Sequence, residues 1–328
     1  MDMINFQQES CVKKTDIVRI ALLVLCSVLL FLCLVSPGLD AQMLGSVITF
    51  QETISADEEG GALFFPSFVF ADTYSNEIYL IDGRGRIIIF TSDFFPLYTL
   101  SKRNGIESPQ GLTVDADGNL YVAQPATAAN PRHRISVFNA CLKWERDIYL
   151  KGFKDSESFV PYRLAVDKKG NFYVAASYYA GVVYVDGNGR FINIISPEEE
   201  DRKAIITNVI LDKEGRIYLV SEEEGRIYIY DKDQNFIMKF GRKGGSSGKL
   251  SRPRGIGVDD NNGRMYVVDY MRHTITVYNR EGKFIFEFGG LGWAEGWFQF
   301  PIDLAVDNEG RIIVADTFNQ RVQVFRSR

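Results

Sequence analysis

The chain has 328 residues, 46% hydrophobic and 13% aromatic, with a formal net charge of −5. That is enough apolar side chain for a large buried core. The acidic balance, with Lys and Arg scattered through polar turns, excludes a nucleic-acid binder that works by neutralising phosphates.

Residues 1–19 carry Lys13, Lys14 and Arg19 and precede an uncharged apolar stretch, Ile20 to Val35. Its sixteen residues fall between a long signal-peptide core and a short membrane span. Positive charge before it, and Asp40 and Glu52 after it, place residues 1–19 in the cytoplasm and the remainder outside. Residues 20–40 are therefore expected to be a transmembrane anchor or a signal sequence. The anchor is preferred, because neither Ser36-Pro37-Gly38 nor Leu39-Asp40-Ala41 makes a good cleavage site and nineteen residues are long for the region ahead of a signal core. The expected location is the cytoplasmic membrane, single-pass, with the following domain on the periplasmic or extracellular side; the alternative is secretion after cleavage. Cys11, Cys26 and Cys33 lie in or before this stretch. Cys141, alone in the exported domain, cannot pair internally and is expected to be a buried blade residue.

From residue 46 onward one phrase is written six times: a short apolar run closed by Asp, a polar turn, a second apolar run, a further turn, then Arg-Ile-x-Val-Phe or its equivalent. The closing residues are Asp72, Asp115, Asp167, Asp212, Asp259 and Asp307, at intervals of 43 to 52 residues. That is the period of one propeller blade. Alternation in Leu120-Tyr121-Val122-Ala123 and Ile217-Tyr218-Leu219-Val220 gives strands of period two. In blade five all four strands are predicted, over 255–259, 264–269, 274–279 and 283–288. The blades are expected at roughly 66–107, 108–159, 160–203, 204–251, 252–299 and 300–328. The last lacks an outer strand. Residues 46–51 are expected to supply it, because 47–66 reads like 284–301, the outer strand and crossover that follow blade five. The predicted fold class is all-β: a six-bladed β-propeller of four-stranded antiparallel blades, closed by an N-terminal strand and preceded by one N-terminal hydrophobic helix.

The run from Ala315 through Asp316, Asn319 and Arg321 to Phe325 resembles the blade signature of the NHL-repeat family of six-bladed β-propellers. Gln320 stands where the family's name-giving His would be, and the likeness spans about 46–328. Blade two carries Gln124 at the position of Asp316, and blades three and four carry Ala176 and Ser221. Some eukaryotic relatives add a zinc-binding ubiquitin-ligase module or bind RNA. Without paired Cys motifs and with an acidic balance, neither property carries over.

In a propeller the crossovers into the innermost strands, and the loops between second and third strands, ring one mouth of the central channel. Five of the six crossovers have Pro at the strand entrance, which suits a strand start. The residues that differ between blades are the candidate ligand contacts: Gln110, Arg163, Asn208, Arg254 and Asp303 from the crossovers, and Tyr178, His273 and Asn319 from the second loop set. The partner expected there is a protein, peptide or glycan, with the membrane reached through the N-terminal segment and no nucleic acid. The repeated Asp residues read as Asx turns, and Asp82, Asp269 and Asp316, with Arg86, Arg134, Arg226 and Arg321, as staples between loops. Trp293 and Trp297 are expected to pack between blades, with sugar stacking as the alternative. The acidic runs 198–201 and 222–224 read as solvated blade edges.

The expected function is a non-catalytic binding or scaffold propeller without a cofactor. The alternative is a metal-dependent, calcium-type hydrolase or lyase resembling gluconolactonase-like propellers, with Asn208 and Asp303 as ligands. With only His133 and His273 present, a zinc site built on three His is excluded.

Overall fold

The computed structural model describes residues 48–327, so the apolar stretch 20–35 and the helix expected there lie outside the described residues. Residues 50–327 form one unit of six four-stranded antiparallel sheets. The innermost strands are Phe68–Ala71, Gly111–Val114, Arg163–Val166, Asn208–Leu211, Pro253–Asp259 and Asp303–Val306, each followed outward by its second, third and fourth strand. Blade five runs Pro253–Asp259, Arg264–Asp269, Thr274–Asn279 and Phe284–Gly289, within two residues of the spacing-based prediction. Among the described residues no helix is long and apolar enough to cross a membrane.

Each blade begins with the same local chemistry. Asp115 Oδ1 accepts the amides of Asp117 and Asn119, Asp212 those of Glu214 and Arg216, and Asp307 those of Glu309 and Arg311. The carboxylate thereby replaces a turn's missing backbone acceptors. The turn then needs a left-handed residue, which Gly310 supplies at φ 74°.

Both faces of a blade are apolar, so the core lies between blades and not at the axis. One cluster joins blades six and one through Val324, Ile313, Leu80 and Ile88; others join two to three, three to four and four to five. Every such side chain removed from water contributes roughly 1.5–3 kcal/mol, and a blade's share is realised only when its neighbour is present.

Blade six is completed by Ile48–Ile54 beside Arg321–Ser327, so the closing strand extends three residues past the predicted 46–51. Phe50 packs edge-on against Phe325 at 5.9 Å, and Phe325 also meets Phe288 and Phe298. Two other expectations, for Cys141 and Trp293, need correction. Cys141 is exposed: it sits in the turn after Phe138, where Asn139 Oδ1 accepts its amide, because this turn faces water. The run at 198–201 is largely exposed, as expected of a solvated edge, and is built as a small hairpin in which Glu198–Glu199 pairs with Arg202–Lys203 and Glu199 accepts from Lys239 Nζ at 2.8 Å. Trp293 does not pack between blades; it is 77% exposed.

Deleting residues 46–54 is expected to leave Arg321–Ser327 as a bare edge and to replace the single calorimetric transition by a broad, early one. Phe325→Ala should cost about 3–5 kcal/mol in urea unfolding.

Candidate functional site

Three of the predicted ligand contacts meet at the axis and are buried: Arg163, Asn208 and Asp303 are 4%, 3% and 3% exposed. Each stands at the first position of an innermost strand, which is why a six-fold repeat brings them together. Arg163 Nη2 donates to the carbonyl of Ser67 at 3.1 Å and its Nη1 to that of Gln110. Its guanidinium stacks on Phe68 and Tyr162 at 4.7 and 4.2 Å. Asn208 Nδ2 donates to the carbonyl of Arg254 at 3.0 Å, and the Asn208 side chain also bonds Asp303. Asp303 accepts from the amides of Val69 and Leu304. Blade three is thus tied to two and one, blade four to five and six, and blade six to one. Gly255 is required here, since a Cβ would lie 2.4 Å from Asp303 Oδ1 and 2.9 Å from the Leu304 amide.

Burial pushes the Asp303 carboxyl up to about 7, against the lowering effects of the Arg163 charge and of its hydrogen bonds. The calcium-type pair of Asn208 and Asp303 therefore meets as imagined, but the positive charge beside it is already present as a guanidinium. Among the described residues no group of three His, Cys, Asp or Glu is placed to hold a metal ion.

The remaining candidates divide. Arg254 is half-buried, stacked on Tyr270 at 3.8 Å and paired with Glu222 at 3.3 Å. His273 Nδ1 accepts the Phe300 amide at 2.9 Å, and burial holds its imidazole below the ordinary histidine range, as an acceptor nitrogen requires. Asn319 Nδ2 donates to Gly292 O and Asp316 Oδ2 at 2.9 and 2.8 Å. His273 and Asn319 hold the crossovers beside them. Tyr178 is 95% exposed and stands apart from the axial group. Gln110 lines a pocket.

That pocket, about 330 Å³, opens on the mouth face between blades one and two, walled by Ser67, Asp82, Arg84, Glu107, Ser108, Gln110, Tyr162 and Arg163. Beside it runs a line of rings, of which the sequence pointed to Phe318 in the second loop set but not to Phe64, Phe65, Phe300 or Tyr270. Phe64 meets Phe65 at 4.7 Å, Phe65 meets Phe318 at 5.5 Å, Phe318 meets Phe300 at 5.0 Å, and Phe300 meets Tyr270 at 5.0 Å. Arg84 covers the Phe64 end at 5.2 Å and Arg254 the Tyr270 end. Phe65 and Phe300 both precede Pro and both take left-handed backbone, φ 44° and 49°. Such residues cost on the order of 1–3 kcal/mol each and are held by their surroundings. The signal in the sequence was the recurrence of Phe-Pro at two crossovers, Phe65-Pro66 and Phe300-Pro301.

The last blade carries a further diagnostic device. Asp316, ending the second strand, accepts the Gln299 amide of the incoming crossover at 2.7 Å and Arg321 Nε at 2.8 Å. Asp269 does the same for the Ser251 and Arg252 amides, and Gln124 for Glu107 at 2.7 Å. A family model for the NHL repeat matches residues 298–325, and one for a six-bladed β-propeller matches 190–289. The chain carries an NHL repeat.

Solved structures similar to this propeller include an auxiliary nutrient binding protein from Bacteroides ovatus, with TM-score 0.64, 13% identity, and 86% of this chain and 76% of that one covered. A protein of unknown function from Bacteroides thetaiotaomicron matches with TM-score 0.64 and 14% identity over 85% and 74%. A virginiamycin B lyase from Staphylococcus aureus matches with TM-score 0.53 and 12% identity over 80% of each chain. At these identities the likeness shows the fold. No curated protein sequence matches the chain.

Two outcomes test the axial cluster of this propeller. Arg163→Met strands the carbonyls of Ser67 and Gln110 and should cost about 3 kcal/mol in urea unfolding. Asp303 binds its proton more tightly folded than unfolded. Its contribution to stability is therefore full below about pH 4 and lost as pH rises through about 7. Asp303→Asn, which cannot ionise, should gain on the wild type between those values and hold a constant difference above them; parallel pH profiles would contradict the assignment.

Proposed function

We propose that this protein is a non-catalytic, exported binding propeller that holds a glycan across its mouth face, over blades five, six and one and into the pocket between blades one and two. The observation that carries the reading is the line of rings from Phe64 to Tyr270 beside an axis already filled by Arg163, Asn208 and Asp303. Aromatic faces stack on the C–H faces of sugars, and hydroxyl and amide groups such as those of Ser67, Ser108 and Gln110 match sugar hydroxyls. A peptide is less suited, because each innermost strand is paired on its outer side and turns its one unpaired edge inward, toward the buried Arg163, Asn208 and Asp303.

The nutrient-binding description of structural neighbours supports a binding role. A hydrolase or lyase centred on the channel has less support, because its axial position is taken by an Arg-Asn-Asp cluster whose hydrogen bonds go to other blades. Residues 20–35 would tether the propeller outside the cytoplasmic membrane, as their length and flanking charge suggest.

The test is calorimetric binding of an oligosaccharide panel to the wild type and to the Phe64→Ala, Phe318→Ala double variant. Two lost rings at about 1 kcal/mol each should weaken a bound glycan by on the order of tenfold or more with little change in melting temperature. Unchanged affinity, or a panel in which only peptides bind, would refute the reading.

A further inference from the structure

The two acids in the pocket wall are already engaged by donors behind the wall. Asp82 Oδ2 accepts from Arg86 Nη2 and Nε at 2.8 and 3.2 Å, with Arg86 also held by Asp57 at 2.7 Å. Glu107 accepts from Thr127, from Asn130 at 2.5 Å and, more distantly, from Arg134 at 3.5 Å, and these bonds hold its carboxyl below the usual range. The cations are treated differently. Arg84 Nη1 donates to the carbonyl of Ala62 at 3.0 Å, and its guanidinium lies over the Phe64 ring. Arg163 bonds only the carbonyls of Ser67 and Gln110. Neither has a carboxylate among the described residues within the 4.0 Å of an ion pair.

The pocket is therefore a polar recess whose acids are spent and whose exposed guanidinium has donors to spare. A guanidinium fork matches a carboxylate bidentately, and that pairing is stronger where water is partly excluded. The volume of about 330 Å³ is at the small end of ligand pockets, which suits one terminal unit and not a through-running chain. Phe64, exposed at the rim, borders the same recess through Arg84.

We infer that this pocket receives a terminal uronic acid, an acidic sugar whose carboxylate pairs with Arg84 while its hydroxyls bond Ser67, Ser108, Gln110 and Tyr162. The inference rests on the glycan-binding reading of the mouth and adds the sign of the charge and the end of the chain that is read. Arg163 supplies positive potential from beneath but is committed to the axial cluster, so Arg84 is the specificity-determining contact.

The experiment is titration of the full chain in detergent with trigalacturonic acid and with its fully methyl-esterified counterpart, for the wild type, Arg84→Ala, Arg84→Lys and Phe64→Ala. The acid should bind at least tenfold more tightly than the ester. Arg84→Ala should erase that difference, Arg84→Lys should keep part of it, and added salt should weaken only the acid. Arg84 is exposed, so all variants should melt with the wild type. Equal binding of acid and ester, both weakened by Phe64→Ala, would overturn the uronate assignment and leave the glycan reading standing. No binding of either compound would overturn the assignment, and the glycan reading would fall with it if the wider panel were also silent.

Discussion

The constraint on which the ring depends is the buried contact among Arg163, Asn208 and Asp303. Blades packed only on their neighbours make a chain of pairwise interfaces, each of which can slide. A set of hydrogen bonds that runs from blade three to one and two, from four to five and six, and from six back to one removes that freedom at the narrowest point. Buried charge is expensive to assemble and costly to break. Such a cluster therefore works less as a source of net stability than as a device that accepts one arrangement of the six innermost strands. Gly255 and Gly111 are part of it: a Cβ at Gly111 would sit 2.6 Å from the Tyr162 carbonyl, so neighbouring strands approach here only because two side chains are missing.

The consequence for function is spatial. With Arg163, Asn208 and Asp303 buried, the surface that the proposed ligand would meet lies farther out, on the crossovers and second loops. The mouth face is uneven for that reason. Blades five, six and one present rings set by two left-handed Phe residues ahead of Pro, whereas the side of blades one and two is a recess lined by polar groups. Capping by Asp316, Asp269 and Gln124 holds the crossovers at fixed height. The aromatic surface is thus built on a rigid frame, and little ordering is left to be lost when something binds.

Much of this was legible in the sequence. The six Asp residues gave both the blade count and the turns they make, because a carboxylate two to four residues ahead of an amide acts locally, and local chemistry repeats with the chain. Closure by the segment before blade one was legible for the same reason: an outer strand and its crossover look alike wherever they occur. Gln124 was legible as a variant of the Asp position, although its equivalent hydrogen bonds were not.

What the sequence by itself determined is periodic: strand type, blade number, the closing strand, and the presence of unlike residues at the six crossover positions. What only the tertiary structure decided is which of those residues face one another. Arg163, Asn208 and Asp303 are separated by forty or more residues and read equally well as solvent-facing contacts, until closure of the ring joins Asn208 to Asp303 by a hydrogen bond, sets the Arg163 charge near them and excludes water. The rings of Phe64, Phe300 and Phe318 lie far apart in the sequence as well. They become a surface because crossovers from different blades converge on one face, a relation that depends on distances through space and not on any spacing along the chain.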